Sequence, residues 1–207
     1  MIYLLDTGHS KLPTSQGKRS PVREDGTRFY EYESNRAIAA IVAKKLDALG
    51  IEYHYVLNPE KEGFTSLGQR VANANAYARE YGKQNCLFIS FHSNAIGNGE
   101  EWKDNARGWS IYTSKGTTKS DKYAEIFVEE AIKMLPKYGQ KVRTDYSDGD
   151  GDYEEQFTVL STTICPAVLI EALFYTSRPD LAFLDSHLGR EILAQIVVNA
   201  IRRIEGF

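Results

Sequence analysis

Short apolar runs of strand type recur along the chain and are bounded by polar or turn-forming residues. Runs of this length and composition predict β-strands, several of them buried on both faces. The predicted strands are residues 2–5, 52–57, 86–91, 108–113 and 167–170.

Longer segments between these runs carry apolar side chains at helical spacing. In the first of them Ile38, Val42 and Leu46 recur every three or four residues before Gly50, a residue that commonly ends helices. Helices are predicted over residues 30–49, 67–81 and 120–135, with one or two more from residue 178 onward. Strands that alternate with helices of this length predict an α/β fold, with a largely parallel twisted sheet and helices on both faces. No repeat or linker divides residues 1–207, so we expect one domain.

Three predicted strands end next to a residue that can bind a metal or transfer a proton. His9 follows the first strand through Asp-Thr-Gly, His92 follows the strand over residues 86–91, and Glu171 follows the strand over residues 167–170. Ligands of open α/β sheets bind at the carboxyl ends of the strands. We therefore expect these three side chains to meet at one edge of the sheet.

Two histidines and one carboxylate form a common ligand set of catalytic zinc, which keeps a fourth position open. His9 and His92 supply the imidazoles, and the first helix begins with two candidate carboxylates, Glu31 and Glu33. Glu171 is then a candidate for the general base of a hydrolysis. The spacing alone leaves an alternative open, in which these residues are polar strand ends that share no ligand.

Composition narrows the class of protein. The chain is 42% hydrophobic and 26% charged, which is typical of a globular protein, and its net charge of −3 argues against a nucleic-acid or membrane-surface binder. Its two cysteines, Cys86 and Cys165, lie beside apolar strands and are expected to be buried free thiols. The N-terminus lacks a secretory signal and no apolar run is long enough for a membrane span, so we expect a protein that is cytoplasmic as synthesised.

The acidic segment over residues 145–155 looks like a calcium-binding loop at first sight. An EF-hand needs glycine at its sixth position and glutamate at its twelfth, and counting from Asp148 these are Tyr153 and Val159. We therefore favour an acidic loop near the site over a calcium site.

Four motifs together resemble the zinc-dependent N-acetylmuramoyl-L-alanine amidases of the amidase-3 type. They are Leu-Asp-Thr-Gly-His, Glu-Tyr-Glu-Ser-Asn, Ser-Phe-His-Ser-Asn-Ala and Pro-Ala-Val-Leu-Ile-Glu, in the order of the family, and they span residues 5–171. The resemblance implies a phosphorylase/hydrolase-like fold and one Zn²⁺ bound by His9, Glu31 and His92, with Glu171 catalytic. Glu31 is selected because the family's glutamate stands four residues before an asparagine, here Asn35, and Glu33 is the rival.

The resemblance also implies a substrate. The family cleaves the amide between the lactyl group of N-acetylmuramic acid and L-alanine of the peptidoglycan stem peptide, so peptidoglycan or a muropeptide is the expected partner. The lack of a recognisable wall-binding repeat makes the chain similar to a lysin. Two alternatives remain: a zinc peptidase that cuts within the stem peptide, and an inactive peptidoglycan-binding module. The usual glycine-rich segment after the catalytic glutamate is Ala-Leu-Phe here, which is expected to narrow the pocket.

Overall fold

A computed structural model describes residues 1–10, 18–60 and 63–207 of the chain. The strands are β1 (Ile2–Thr7), β2 (Tyr53–Tyr55), β3 (Cys86–Asn94), β4 (Ser110–Thr113), β5 (Tyr153–Glu154) and β6 (Ala167–Phe174). The helices are α1 (Glu31–Leu49), α2 (Leu67–Tyr81), α3 (Asp121–Met134), α4 (Thr158–Ser161), α5 (Arg178–Leu184) and α6 (His187–Glu205), and a 3₁₀ turn over Leu135–Tyr138 extends α3. Residues 11–17, which belong to the segment between β1 and α1, lie outside the described residues.

The strands form one sheet in the order β2-β1-β3-β6-β4-β5. Neighbouring strands run parallel except β4, which is antiparallel to β6. The prediction of a largely parallel sheet is therefore confirmed. In the centre of the sheet, β3 and β6 pair with His92 opposite Glu171, so these two side chains are neighbours on adjacent strands.

Two of the central strands are longer than the sequence predicts. β3 continues to Asn94 and β6 to Phe174, so His92 and Glu171 lie within their strands rather than after them. The pairing register shifts between His92 and Asn94, as in a β-bulge, and Leu173 takes a left-handed φ of 71° on the opposite strand. Ladder hydrogen bonds between distant segments set these lengths, and the local pattern does not report them.

Apolar side chains pack on both faces of the sheet, as predicted. On one face, α1, α3 and α6 cover the larger cluster, which includes Trp109, Phe127 and Ile196. On the other face, α2 and the short α4 cover a smaller cluster that includes Phe88 and Leu160. Among the described helices, none combines the length and the apolar character that crossing a bilayer would require.

Both cysteines are buried free thiols, as expected. The acidic segment packs against β4 and α3. Its Asp152 is buried against β4, where Thr113 Oγ1 donates a hydrogen bond of 2.6 Å to Asp152 Oδ2, and the Gly151 amide donates to Glu125 of α3. The segment is therefore anchored to β4 and α3, and it includes β5, an edge strand of the sheet.

Candidate active site

His9 is placed by a tight turn at the end of β1. The Gly8 amide donates to the Phe91 carbonyl of β3 at 3.0 Å, which extends the ladder by one residue. A Cβ atom on Gly8 would lie 2.8 Å from Cδ2 of His92, and closer still to Cε1 and Nε2, so only glycine lets the His92 ring pack here. His9 itself has a left-handed φ of 64°, which is unusual for a residue with a side chain. The two imidazole rings meet edge to face with their centroids 4.8 Å apart.

Glu31 is the first residue of α1 and its carboxylate reaches both histidines. Glu31 Oε1 lies 3.1 Å from His92 Nδ1 and accepts a 3.0 Å hydrogen bond from the Ser93 amide, and Oε2 lies 3.4 Å from His9 Nε2. Burial raises the pKa of the Glu31 carboxyl, but its hydrogen bonds with His9 and His92 and their charge outweigh burial and hold that pKa below its ordinary value. Glu31 is therefore a buried carboxylate that needs positive charge beside it.

Glu31 and Glu33 lie on different faces of α1, and only Glu31 is buried. Asn35, one turn after Glu31, is buried and donates from Nδ2 to the Gly8 carbonyl at 3.2 Å, which ties this helix face to the loop of His9. Glu33 is exposed and accepts a hydrogen bond from Tyr32 instead. The sequence carries a signal for this difference, because Glu31 is in helical phase with the buried Ile38 and Val42, and Glu33 is not.

His9, Glu31 and His92 form a group that can hold a metal ion, since one ligand atom from each lies within 4.8 Å of the others. Two imidazole nitrogens and a carboxylate oxygen match the donor set of a catalytic zinc site. Glu31 is only 2% exposed, so a cation would also compensate a charge that burial otherwise disfavours. The residues present therefore fit a divalent metal ion.

Glu171 faces the same groove from β6. Its Oε2 atom is buried without a hydrogen-bond partner in the described part of the chain. Burial raises the pKa of the Glu171 carboxyl well above its ordinary value, the charge of Glu31 raises it further, and Lys18 and Arg143 lower it by less. A carboxyl with a raised pKa and a free oxygen is suited to accept and return a proton.

The groove has a volume of about 410 Å³ and lies on the face of the sheet covered by α2 and α4. Lys18 lines it, and the Lys18 carbonyl accepts the Glu31 amide at 3.0 Å, so its backbone is fixed at the start of α1. Tyr175 lines it too, with its ring 6.0 Å from that of Phe29. Sequence reasoning missed both residues, because neither belongs to a motif and only the tertiary fold brings them to the groove. Phe157 and Thr158 form the wall that follows the acidic segment.

Comparison with known proteins finds relatives of this chain. Residues 4–203 match the sequence model of the N-acetylmuramoyl-L-alanine amidase family. The endolysin of Bacillus phage SPP1 is 26% identical over 189 residues, which make up 89% of this chain and 59% of the endolysin. The chain thus spans about three fifths of the length of that curated relative.

Solved amidase structures have the same fold. The catalytic domain of CwlV, an N-acetylmuramoyl-L-alanine amidase from Bacillus (Paenibacillus) polymyxa var. colistinus, superposes with a TM-score of 0.75 at 22% identity, covering 99% of this chain and 97% of that domain. An N-acetylmuramoyl-L-alanine amidase from Clostridium difficile 630 superposes with a TM-score of 0.76, also at 22% identity and with coverages of 99% and 97%. These likenesses confirm the predicted fold class. With the match of the family model over nearly its whole length, the chain belongs to the N-acetylmuramoyl-L-alanine amidase family.

Proposed function

We propose that this chain is a zinc-dependent hydrolase of peptidoglycan, which cleaves the amide between the lactyl group of N-acetylmuramic acid and L-alanine of the stem peptide. His9, Glu31 and His92 hold the ion, and Glu171 is the catalytic acid and base. The observation that carries the proposal is the convergence of two imidazoles and a buried carboxylate in a groove that also contains an unpaired Glu171 oxygen.

The ion supplies one part of the chemistry. Zinc bound at such a site lowers the pKa of a coordinated water to about 7 and polarises a carbonyl oxygen. The Ser93 amide holds the Glu31 carboxylate in place, and Gly8 leaves room for the His92 ring. These contacts fix the directions from which the ligands approach, which is the contribution that a protein makes to a metal site.

Glu171 moves the protons. Its position opposite His92 in the strand register places it beside the group of candidate ligands. As a base, the Glu171 carboxylate takes a proton from the attacking water, and as an acid it returns that proton to the leaving amine of L-alanine. The raised pKa favours this double role, because a carboxyl that holds a proton more readily is a better base towards water and can still return the proton to the amine.

Two further groups in the groove suit this substrate. Among the described residues that line the groove, Lys18 is the only lysine or arginine. Its ammonium group can pair with a carboxylate of the stem peptide. The Tyr175 ring is buried, and no described residue shares a hydrogen bond with its hydroxyl. That hydroxyl is therefore available to donate to an oxygen of the substrate.

Digestion of purified sacculi tests the proposal. The zinc-loaded chain should release stem peptides, a chelator should abolish the release, and added zinc should restore it. Mass analysis should find intact stems with a free N-terminal alanine. Fragments cut inside the stem would indicate the peptidase instead, and binding to sacculi without any release would indicate an inactive module.

A matched pair of variants tests the third ligand. Glu31→Gln and Glu33→Gln make the same chemical change two residues apart on one helix, where only Glu31 reaches the histidines. We expect Glu31→Gln to lose bound zinc and activity and Glu33→Gln to keep both, as measured by metal analysis of the purified protein. Equal zinc content in the two variants would refute the assignment of Glu31.

A further inference from the structure

The backbone of His9 has a conformation that its own sequence does not favour. Its φ of 64° lies in the left-handed region, where the Cβ atom of a residue other than glycine is crowded. Such conformations persist when surrounding contacts hold them, and they cluster at functional sites. Contacts with other parts of the chain must therefore hold His9 in this conformation.

Arg70 on α2 donates three hydrogen bonds to this turn. Its Nη2 donates to the His9 carbonyl at 2.9 Å, and its Nη1 donates to the Thr7 carbonyl at 2.8 Å and to Asp6 Oδ1 at 2.5 Å. Arg70 is only 3% exposed, so these hydrogen bonds are shielded from water. One planar guanidinium thus binds three residues of the turn, Asp6, Thr7 and His9.

Asp6 connects the same guanidinium to the strand of the second histidine. Asp6 is 1% exposed, and its other oxygen, Oδ2, accepts a 2.7 Å hydrogen bond from Ser90 Oγ on β3. Ser90 stands two residues before His92 on that strand. The network from Arg70 through Asp6 to Ser90 therefore joins the segments that present the two imidazoles.

We propose that Arg70 is a positioning residue of the metal site, which holds His9 in its left-handed conformation so that its imidazole points towards Glu31 and His92. The inference rests on the proposed function, in which His9 binds the ion. Arg70 itself touches neither ion nor substrate, because it bonds to the backbone of His9 and to Asp6. Its role is to fix the direction of one ligand.

The geometry of arginine is essential to this role. A lysine at position 70 keeps the positive charge beside Asp6, but a single ammonium cannot reproduce the planar fork that reaches Asp6 and the His9 carbonyl from two nitrogens. Arg70→Lys therefore separates the charge of the residue from its geometry. Arg107→Lys is a matched control, because Arg107 also pairs with a buried aspartate, Asp180, at 2.9 Å and contacts no candidate ligand.

The experiment measures zinc affinity of the full chain by competition with a chromophoric chelator. Groups that orient metal ligands typically change metal affinity about 10–100-fold when they are replaced, so Arg70→Lys should weaken zinc binding by that factor and Arg107→Lys by less than about twofold. The visible absorption of the cobalt(II)-loaded chain should change for Arg70→Lys alone, because it reports ligand geometry. Thermal unfolding of the metal-free variants shows how much of any change comes from stability.

Four outcomes would overturn the proposal. Arg70→Lys that binds zinc as the wild type does would show that Arg70 does not position His9. Arg107→Lys with an equal loss of affinity would show a general effect of lost buried ion pairs. A wild-type chain that binds no zinc would refute the proposed metal site, and this inference with it. An Arg70→Lys variant that fails to fold, while Arg107→Lys folds, would show that Arg70 supports the whole fold rather than one ligand.

Discussion

Gly8→Ala should remove the metal site while the fold remains. Gly8 is buried at the end of β1, and the His92 ring occupies the space that a side chain would need. A methyl group at this position would therefore push against one candidate ligand without touching the apolar clusters.

The size of the displacement follows from the structure. The new Cβ would lie 2.8 Å from His92 Cδ2, whereas carbon atoms in contact are about 3.5 Å apart, so the ring must retreat by at least about 0.7 Å. Metal–ligand distances hold to about 0.2 Å in real sites. A shift several times larger than this tolerance removes His92 from the ligand set, and we expect zinc affinity to fall more than about 100-fold.

Two other glycines provide the controls. Gly68→Ala on α2 would bring Cβ no closer than 3.9 Å to Ser66 Oγ, so zinc affinity should not change and the helix should gain up to about 1 kcal/mol. Gly189→Ala on α6 would collide with the Phe183 carbonyl, so it should lower the melting temperature without a specific effect on the metal. Isothermal titration with zinc and thermal unfolding of the metal-free chains measure both quantities.

Zinc binding by Gly8→Ala within about threefold of the wild type, a loss of about 0.65 kcal/mol at most, would refute the displacement of His92 from the ligand set. An equal loss of zinc affinity in Gly189→Ala would also refute it, because the loss would then follow stability rather than the position of His92.

Three more outcomes are expected. Glu171→Gln should lower the release of stem peptides at least about 100-fold and leave zinc binding unchanged, since the amide cannot accept the proton; equal turnover would exclude Glu171 as the base. Tyr175→Phe should lower turnover about tenfold at unchanged zinc affinity, because it removes one hydrogen bond to the substrate. Unchanged turnover would mean that the hydroxyl does not contact the substrate. Burial, and then the neighbouring Asp150, raise the pKa of Asp152 to about 8 from an ordinary 3.8. The folded chain then binds more protons than the unfolded chain between these values, so stability should fall as pH rises through this window, by up to about 1.4 kcal/mol per pH unit. Urea unfolding should show this decline in the wild type and lose it in Asp152→Asn, and identical pH profiles would contradict it.

The helices were predictable because their signals are local. Residues 67–81 match α2, since Ser66 Oγ caps the Gln69 amide at the start and Gly82 follows the end. The prediction for α3 is less accurate, because the chain continues through Pro136 as a 3₁₀ turn. Proline is tolerated in the first turn of a helix, where its missing N–H has no partner to lose.

The strands and the groove depend on contacts between distant segments. No sequence signal at residues 92–94 indicates that these residues pair with β6 beyond a bulge. The predicted strand therefore ends earlier than β3 does. His9, His92 and Glu171 could be placed at one edge of the sheet because parallel strands share that edge. Arg70 could not be assigned, because its partners lie more than 60 residues away in the chain.

The candidate ligands come from three separate elements, β1, α1 and β3, at positions 9, 31 and 92. An ion bound by all three would act as a cross-link that closes two long segments of the chain. A ligand that binds only the native state adds its binding free energy to the stability of that state. Resistance of this domain to heat and to proteases would then follow the supply of free metal. Chelators would weaken the scaffold at the same time as they stopped the chemistry.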